Sequence, residues 1–291
     1  MVFAEEWPLM TFTLLMQLSV GTFLILMVIK ALIGSQDTQA SKALSFGFTA
    51  VGPVTVLALI FSVFHLGDPL GAPRSILNLG SSWLSREILT AGGFLALWLI
   101  FWWFSRKGKE SNALGWITAL VGLAAIFSMA HIYSSSIRPA WANMNTYVAF
   151  FGATLAMGGL GAVSVFVLGM KGRAFSESMT KALTSVSYVS VAAVILPLLY
   201  FPIYLSGLKA GGATAEASAQ ILTGSMGLLI FSAILSLIGV VLLVYLLRKQ
   251  GNKAQSFPVS TILLALVLVV AGEFMSRYLF YACGISPIIG G

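Results

Sequence analysis

Charged residues are scarce in this sequence. They form 9% of the 291 residues while 58% are apolar, against about a quarter charged and half apolar in soluble domains. Water is therefore not the main solvent of this chain. The apolar residues come in uninterrupted runs of twenty or more, which fit helices that cross a lipid bilayer. A spanning β-barrel needs segments that alternate apolar and polar residues, and Ile221 to Leu247 shows no such alternation.

Cysteine and histidine are nearly absent as well. Cys283 is the one cysteine, which excludes an intrachain disulfide framework and an iron–sulfur cluster held by this chain's own thiolates. It reads as a small residue near a helix end. His65 and His131 are the two histidines. A haem relay across the bilayer needs histidine pairs toward both faces, and the expectation is that no haem is bound. A zinc site would need three or four clustered ligands, and no HExxH, glycine-rich phosphate loop or serine elbow occurs. The net charge of +7 comes from basic residues scattered through short loops, not from a patch with interleaved aromatics, so it does not point to nucleic acid.

What is present is a series of apolar runs, near 7–33, 43–66, 84–105, 113–134, 147–170, 183–205, 222–247 and 259–283. Each is long enough for a hydrocarbon core of about 30 Å. The expectation is an all-α bundle of about eight transmembrane helices in one domain, residues 1–291. The breaks carry turn chemistry: Gly34-Ser35-Gln36-Asp37, Gly67-Asp68-Pro69, Lys107-Gly108-Lys109 and Gly251-Asn252-Lys253. Glu5 and Glu6 precede the first run, which lacks the basic leader of a signal peptide, so it reads as a retained helix.

Eight spans put both termini on one side. Loops after the first, third, fifth and seventh spans hold Lys30, Lys42, Arg106, Lys107, Lys109, Lys171, Arg173, Lys181, Arg248, Lys249 and Lys253, whereas the opposite side holds Arg74, Arg86, Arg138 and Lys209. The positive-inside rule then places the termini outside the cytoplasm, in the periplasm of a bacterial inner membrane. Trp7, Trp83 and Trp141 lie near span ends and read as interfacial anchors. Met157-Gly158-Gly159-Leu160-Gly161 would let helices pack closely.

Ionisable groups inside a bundle are costly and mark candidate sites. His65, Asp68, Arg74, Arg86, Glu87, His131, Arg138, Glu273 and Arg277 all fall toward the outer face, and the inner half offers almost none, which argues against a proton pump. Each also has a structural reading. Glu273 and Arg277, four apart, suit an intrahelical ion pair as well as a site. Asp68 suits a turn, His131 suits a bond to a neighbouring carbonyl, and Glu87 in the first turn of its helix suits the helix dipole. A short return loop brings His65 and Glu87 to similar depth, which favours their convergence.

Three stretches carry a family resemblance: Glu6-Trp7-Pro8-Leu9-Met10, then His65-Leu66-Gly67-Asp68-Pro69 followed by Leu84-Ser85-Arg86-Glu87-Ile88, and last Ala271-Gly272-Glu273 with Arg277 and Phe280-Tyr281. Their order and spacing resemble the membrane-anchor subunits of dimethyl sulfoxide reductase-type molybdoenzymes. The resemblance implies an anchor that oxidises menaquinol. Its electrons would pass to a four-cluster ferredoxin-like iron–sulfur subunit and on to a molybdopterin catalytic subunit. It assigns quinol-site roles to His65 and Glu87, with Asp68, Arg74, Arg86, His131, Glu273 and Arg277 as binding or supporting residues. In that family a basic residue commonly stands two places after the proline of the His-Leu-Gly-x-Pro motif, where this sequence has Gly71, the nearest arginine being Arg74. A secondary transporter, with Pro197 and Pro202 as interruptions, and a polysulfide reductase-type anchor are the alternatives.

Overall fold

The computed structural model describes residues 2–34, 37–64, 78–250 and 258–287. Ser35 and Gln36, the turn with His65, Asp68 and Arg74, and the Gly251-Asn252-Lys253 break lie outside the described residues. Among the described residues there are nine helices and no strand: α1 Val2–Ile33, α2 Thr38–Phe64, α3 Trp83–Arg106, α4 Asn112–Ser134, α5 Met144–Met170, α6 Glu177–Ala210, α7 Ala213–Gly224, α8 Met226–Gln250 and α9 Val259–Ala282. All but α7 are long and apolar enough to cross a membrane, so the eight expected spans are all present.

Several boundaries differ from the sequence reading, with α1 and α2 each beginning five residues early, at Val2 and Thr38. α6 begins before 183 and runs past 205, through both Pro197 and Pro202. Proline is tolerated inside membrane helices where neighbours cover the freed backbone groups, and Gly152 of α5 leaves room for the Pro197 ring, since a Cβ there would sit 2.9 Å from Pro197 Cγ. The segment from 213 to 224 is a short amphipathic helix, not a loop. It buries Ala215, Ser218, Ala219 and Leu222, the i, i+3, i+4, i+7 stripe of a helix lying on a surface. Ser225, whose N–H returns to Ile221 and Leu222, separates it from α8.

α1 and α5 are the most enclosed spans and form the centre of the bundle. α1 packs on α2, α4, α5, α6 and α9, and α5 adds contacts with α8. The small-residue run in α5 is what brings them together. A Cβ on Gly158 would collide with the backbone of Gly21, one on Gly161 with Thr22, and one on Gly159 with Ser190 of α6. Lipid gives helices no hydrophobic reason to associate, so close packing of this kind supplies much of the cohesion. Beside this seam, Phe23, Phe48, Phe94 and Phe101 from α1, α2 and α3 form an aromatic cluster with centroids 5.0–5.8 Å apart. Trp98 donates to the Phe48 carbonyl at 2.8 Å and ties α3 to α2.

The end of α1 and the starts of α2, α4 and α6 meet on one face. Lys30 at the end of α1 pairs with Glu110 before α4 at 2.6 Å, and Ser176, the N-cap of α6, donates to Asp37 at 3.3 Å. The starts of α3 and α5 and the ends of α4 and α9 gather at the other face.

The seam yields a test. Gly158→Val pushes a side chain into backbone that cannot yield, at a cost of about 1–3 kcal/mol or more, so the variant should melt well below wild type in detergent. Gly92→Val, where a Cβ meets open space, should leave the melting temperature nearly unchanged.

Candidate functional site

The start of α3 positions Glu87. Ser82 is the N-cap, its hydroxyl accepting from the Ser85 N–H at 3.3 Å. Glu87 therefore lies beyond the first turn, which holds no acidic residue. The expectation of a first-turn carboxylate is corrected: a serine satisfies the helix end, and Glu87 faces inward at 6% exposure. Its carboxylate has no hydrogen bond or ion pair among the described residues. Tyr133 of α4 lies within its electrostatic range.

From Tyr133 the polar groups continue across the bundle. The Tyr133 and Tyr281 hydroxyls are 2.6 Å apart and both residues are buried. Tyr281 interacts electrostatically with Arg277, one turn back on α9. The Arg277 guanidinium is 4% exposed, donates through Nη2 to Gln17 Oε1 of α1 at 2.9 Å, and sits 3.9 Å from the Phe150 ring centroid of α5. Its Nη1 and the Gln17 Nε2 have no partner among the described residues. Helices α1, α4, α5 and α9 thus each contribute a side chain to one buried cluster, and Glu87 of α3 lies near it without a bond.

Glu273 and Arg277 are not an ion pair. Among the described residues the ion pairs are Lys30–Glu110 and Lys181–Glu177, and Glu273 instead lines a cavity of about 220 Å³ between α5, α6, α8 and α9. Apolar walls come from Val194, Pro197, Leu198, Phe201, Leu229 and Phe280.

The other predicted residues are placed as follows. His131 is half-buried, with Nδ1 2.5 Å from the Tyr147 hydroxyl, which also accepts from Ser134 at 2.7 Å. Its ring lies 4.0 Å from Trp83. The expected carbonyl partner is thus a tyrosine hydroxyl. Arg86 folds back on its own turn, donating to the Leu79 and Gly80 carbonyls at 2.9 and 2.8 Å and covering Trp83, so it does not join the buried network. Trp141 is not an interfacial anchor: it is buried, donates to the Phe280 carbonyl at 2.7 Å and stacks on that ring. His65, Asp68 and Arg74 lie outside the described residues.

Gln17, Tyr133 and Tyr147 are residues here that the sequence reading does not single out, and Tyr281 enters it only within the stretch that carries the resemblance. Gln17, a side-chain amide deep in an apolar run, is the available signal. Among the described residues no three histidine, cysteine, aspartate or glutamate side chains come together as a metal site.

The family model for the DMSO reductase anchor subunit (DmsC) matches residues 2–283. The protein is 28% identical to anaerobic dimethyl sulfoxide reductase chain YnfH of Escherichia coli K12 over 98% of its own length and 96% of that relative. It is 26% identical to the C chain of anaerobic dimethyl sulfoxide reductase from the same organism, with the same coverage. Against the C chain of the Haemophilus influenzae enzyme, identity is 29% over 67% of this protein and 69% of the relative.

The tyrosine pair can be tested by a double-mutant cycle. Tyr133→Phe or Tyr281→Phe strands the other hydroxyl, and the two changes together remove both polar groups. Unfolding in detergent should show a coupling of about 0.5–1.5 kcal/mol. Strict additivity would mean that the bond contributes nothing.

Proposed function

The chain belongs to the DMSO reductase anchor subunit family, and we propose that it oxidises menaquinol at the outer face of the inner membrane for a respiratory molybdoenzyme. Glu87 carries the reading. A buried carboxylate with no cation beside it and no capping duty is hard to explain as structure, and it has the chemistry of a proton acceptor. Quinol oxidation releases two protons and two electrons. The site therefore needs an apolar cavity for the ring beside acid–base groups near water. In this reading Glu87 accepts a proton or hydrogen bond from one quinol hydroxyl and His65 binds the other oxygen, with Asp68 and Arg74 in support. The electrons leave to an iron–sulfur subunit docked on the same face, and from there to a molybdopterin subunit. Protons and electrons then depart on one side, so this subunit separates no charge itself.

The family match, extending over 2–283, favours an anchor over a transporter. The relatives, each named as part of a dimethyl sulfoxide reductase, favour that type over the polysulfide reductase type. The excess of lysine and arginine in the odd-numbered loops supports periplasmic termini.

Two outcomes test this. Glu87→Gln keeps shape and removes charge, so the assembled complex should lose about 10²-fold or more of quinol oxidation while reduction of its terminal substrate by an artificial donor stays at wild type. A wild-type quinol rate in that variant would sink the assignment. For topology, a C-terminal reporter should be active only as a periplasmic fusion, and cytoplasmic activity would reverse the orientation.

A further inference from the structure

The cavity at Glu273 is separate from the Glu87 corner. It is lined by residues from 145 to 283 on α5 through α9 and by none from α3. Two polar groups of α9 line it; they attract each other electrostatically, but no direct bond joins them and neither is fully paired by the protein. Glu273 is a carboxyl with neither a hydrogen bond nor an ion pair among the described residues. Arg277, which also lines the cavity, keeps one of its two terminal nitrogens unpaired while nine-tenths or more buried. One wants a hydrogen-bond donor and the other an acceptor. Leaving such groups unmet in an apolar setting is costly, so the pair describes the ligand it lacks.

That ligand must reach the cavity from lipid, because the rim includes the exposed apolar residues Leu198 of α6 and Ile230 of α8. It must be flat and largely apolar to lie against Phe201, Pro197 and Phe280 in about 220 Å³, below the ~300–1,000 Å³ of drug-sized pockets. A phosphate headgroup or a fatty-acid carboxylate suits Arg277 but meets the Glu273 carboxyl, so anions are disfavoured. A neutral ring bearing a hydroxyl and a second oxygen satisfies both groups at once.

We propose that this cavity is a second binding site for a quinol-type ring, with the Arg277 guanidinium turning to donate to one ring oxygen and Glu273 accepting from a ring hydroxyl. The ligand class rests on the reading of this chain as quinol-reactive, but the location does not depend on His65 or Glu87. The Tyr133–Tyr281 hydrogen bond lies between the two corners.

The test measures binding in the intact complex in nanodiscs, using an azido-naphthoquinone as the photoreactive probe and mapping labelled peptides by mass spectrometry. Wild type should carry label on the α6 and α9 segments 194–204 and 272–283 in addition to the α3 segment around Glu87. Glu273→Gln, and Ala233→Phe, which narrows the cavity from α8, should each cut the α6 and α9 label at least fivefold and leave the α3 label in place. Glu87→Gln should do the reverse. If α6 and α9 are unlabelled in wild type, or their label survives both cavity variants, the second site does not exist. A phospholipid retained by the complex and lost in Ala233→Phe, with no probe label at α9, would also overturn it. If α6 and α9 are labelled and α3 is not, the second site stands and the assignment of oxidation to Glu87 falls.

Discussion

A guanidinium within a membrane span needs company, and the way Arg277 finds it organises the outer half of this protein. Placing an arginine at a helix centre costs about 2.5–3.5 kcal/mol on insertion scales, and no carboxylate pairs with this one among the described residues. Its compensation is spread over several helices: the Gln17 carbonyl oxygen from α1, the Phe150 ring face from α5, and the nearby Glu273 and Tyr281 side chains on its own helix. Tyr281 in turn bonds Tyr133 of α4. Four helices are thereby held in register around one charge, whose Nη1 keeps no partner among the described residues.

That arrangement is possible because the centre beneath it is packed backbone to backbone. The α5 glycines let α1 approach until side chains are excluded, which brings Gln17 and Phe150 within reach of α9. The two halves of the bundle then differ in chemistry. One face is tied by loop contacts such as Lys30–Glu110 and Ser176–Asp37, which are near water and individually weak. The opposite half carries its polar groups inside. Such a division suits the proposed function, in which substrate enters from lipid and electrons leave through one face.

Several outer-face residues have two readings in the sequence, and the structure separates them case by case. The cap belongs to Ser82, so Glu87 is released from a structural duty that its position near a helix start suggests. The i,i+4 spacing of Glu273 and Arg277 permits a pair, yet no direct bond forms: both line one cavity, and Arg277 bonds Gln17. Trp141 resembles an interface residue by its place between spans and is instead a buried pin against Phe280. Arg86 is engaged by its own turn. Spacing along a helix limits which contacts are possible and does not choose among them.

The number of spans, their approximate ends and the side on which the ionisable residues collect were determined by the sequence alone, because the length and composition of a segment decide whether it can lie in hydrocarbon. That property is local. Which side chains meet is not local: the linkage of Gln17 to Arg277, 260 positions apart, or of Tyr133 to Tyr281, depends on how each helix is rotated and how near its neighbours come. In a membrane these are set by the packing of small residues and the need to satisfy each buried polar group. Only the tertiary structure could decide them, and with them the buried cluster of Tyr133, Tyr281, Arg277 and Gln17 and the cavity at Glu273.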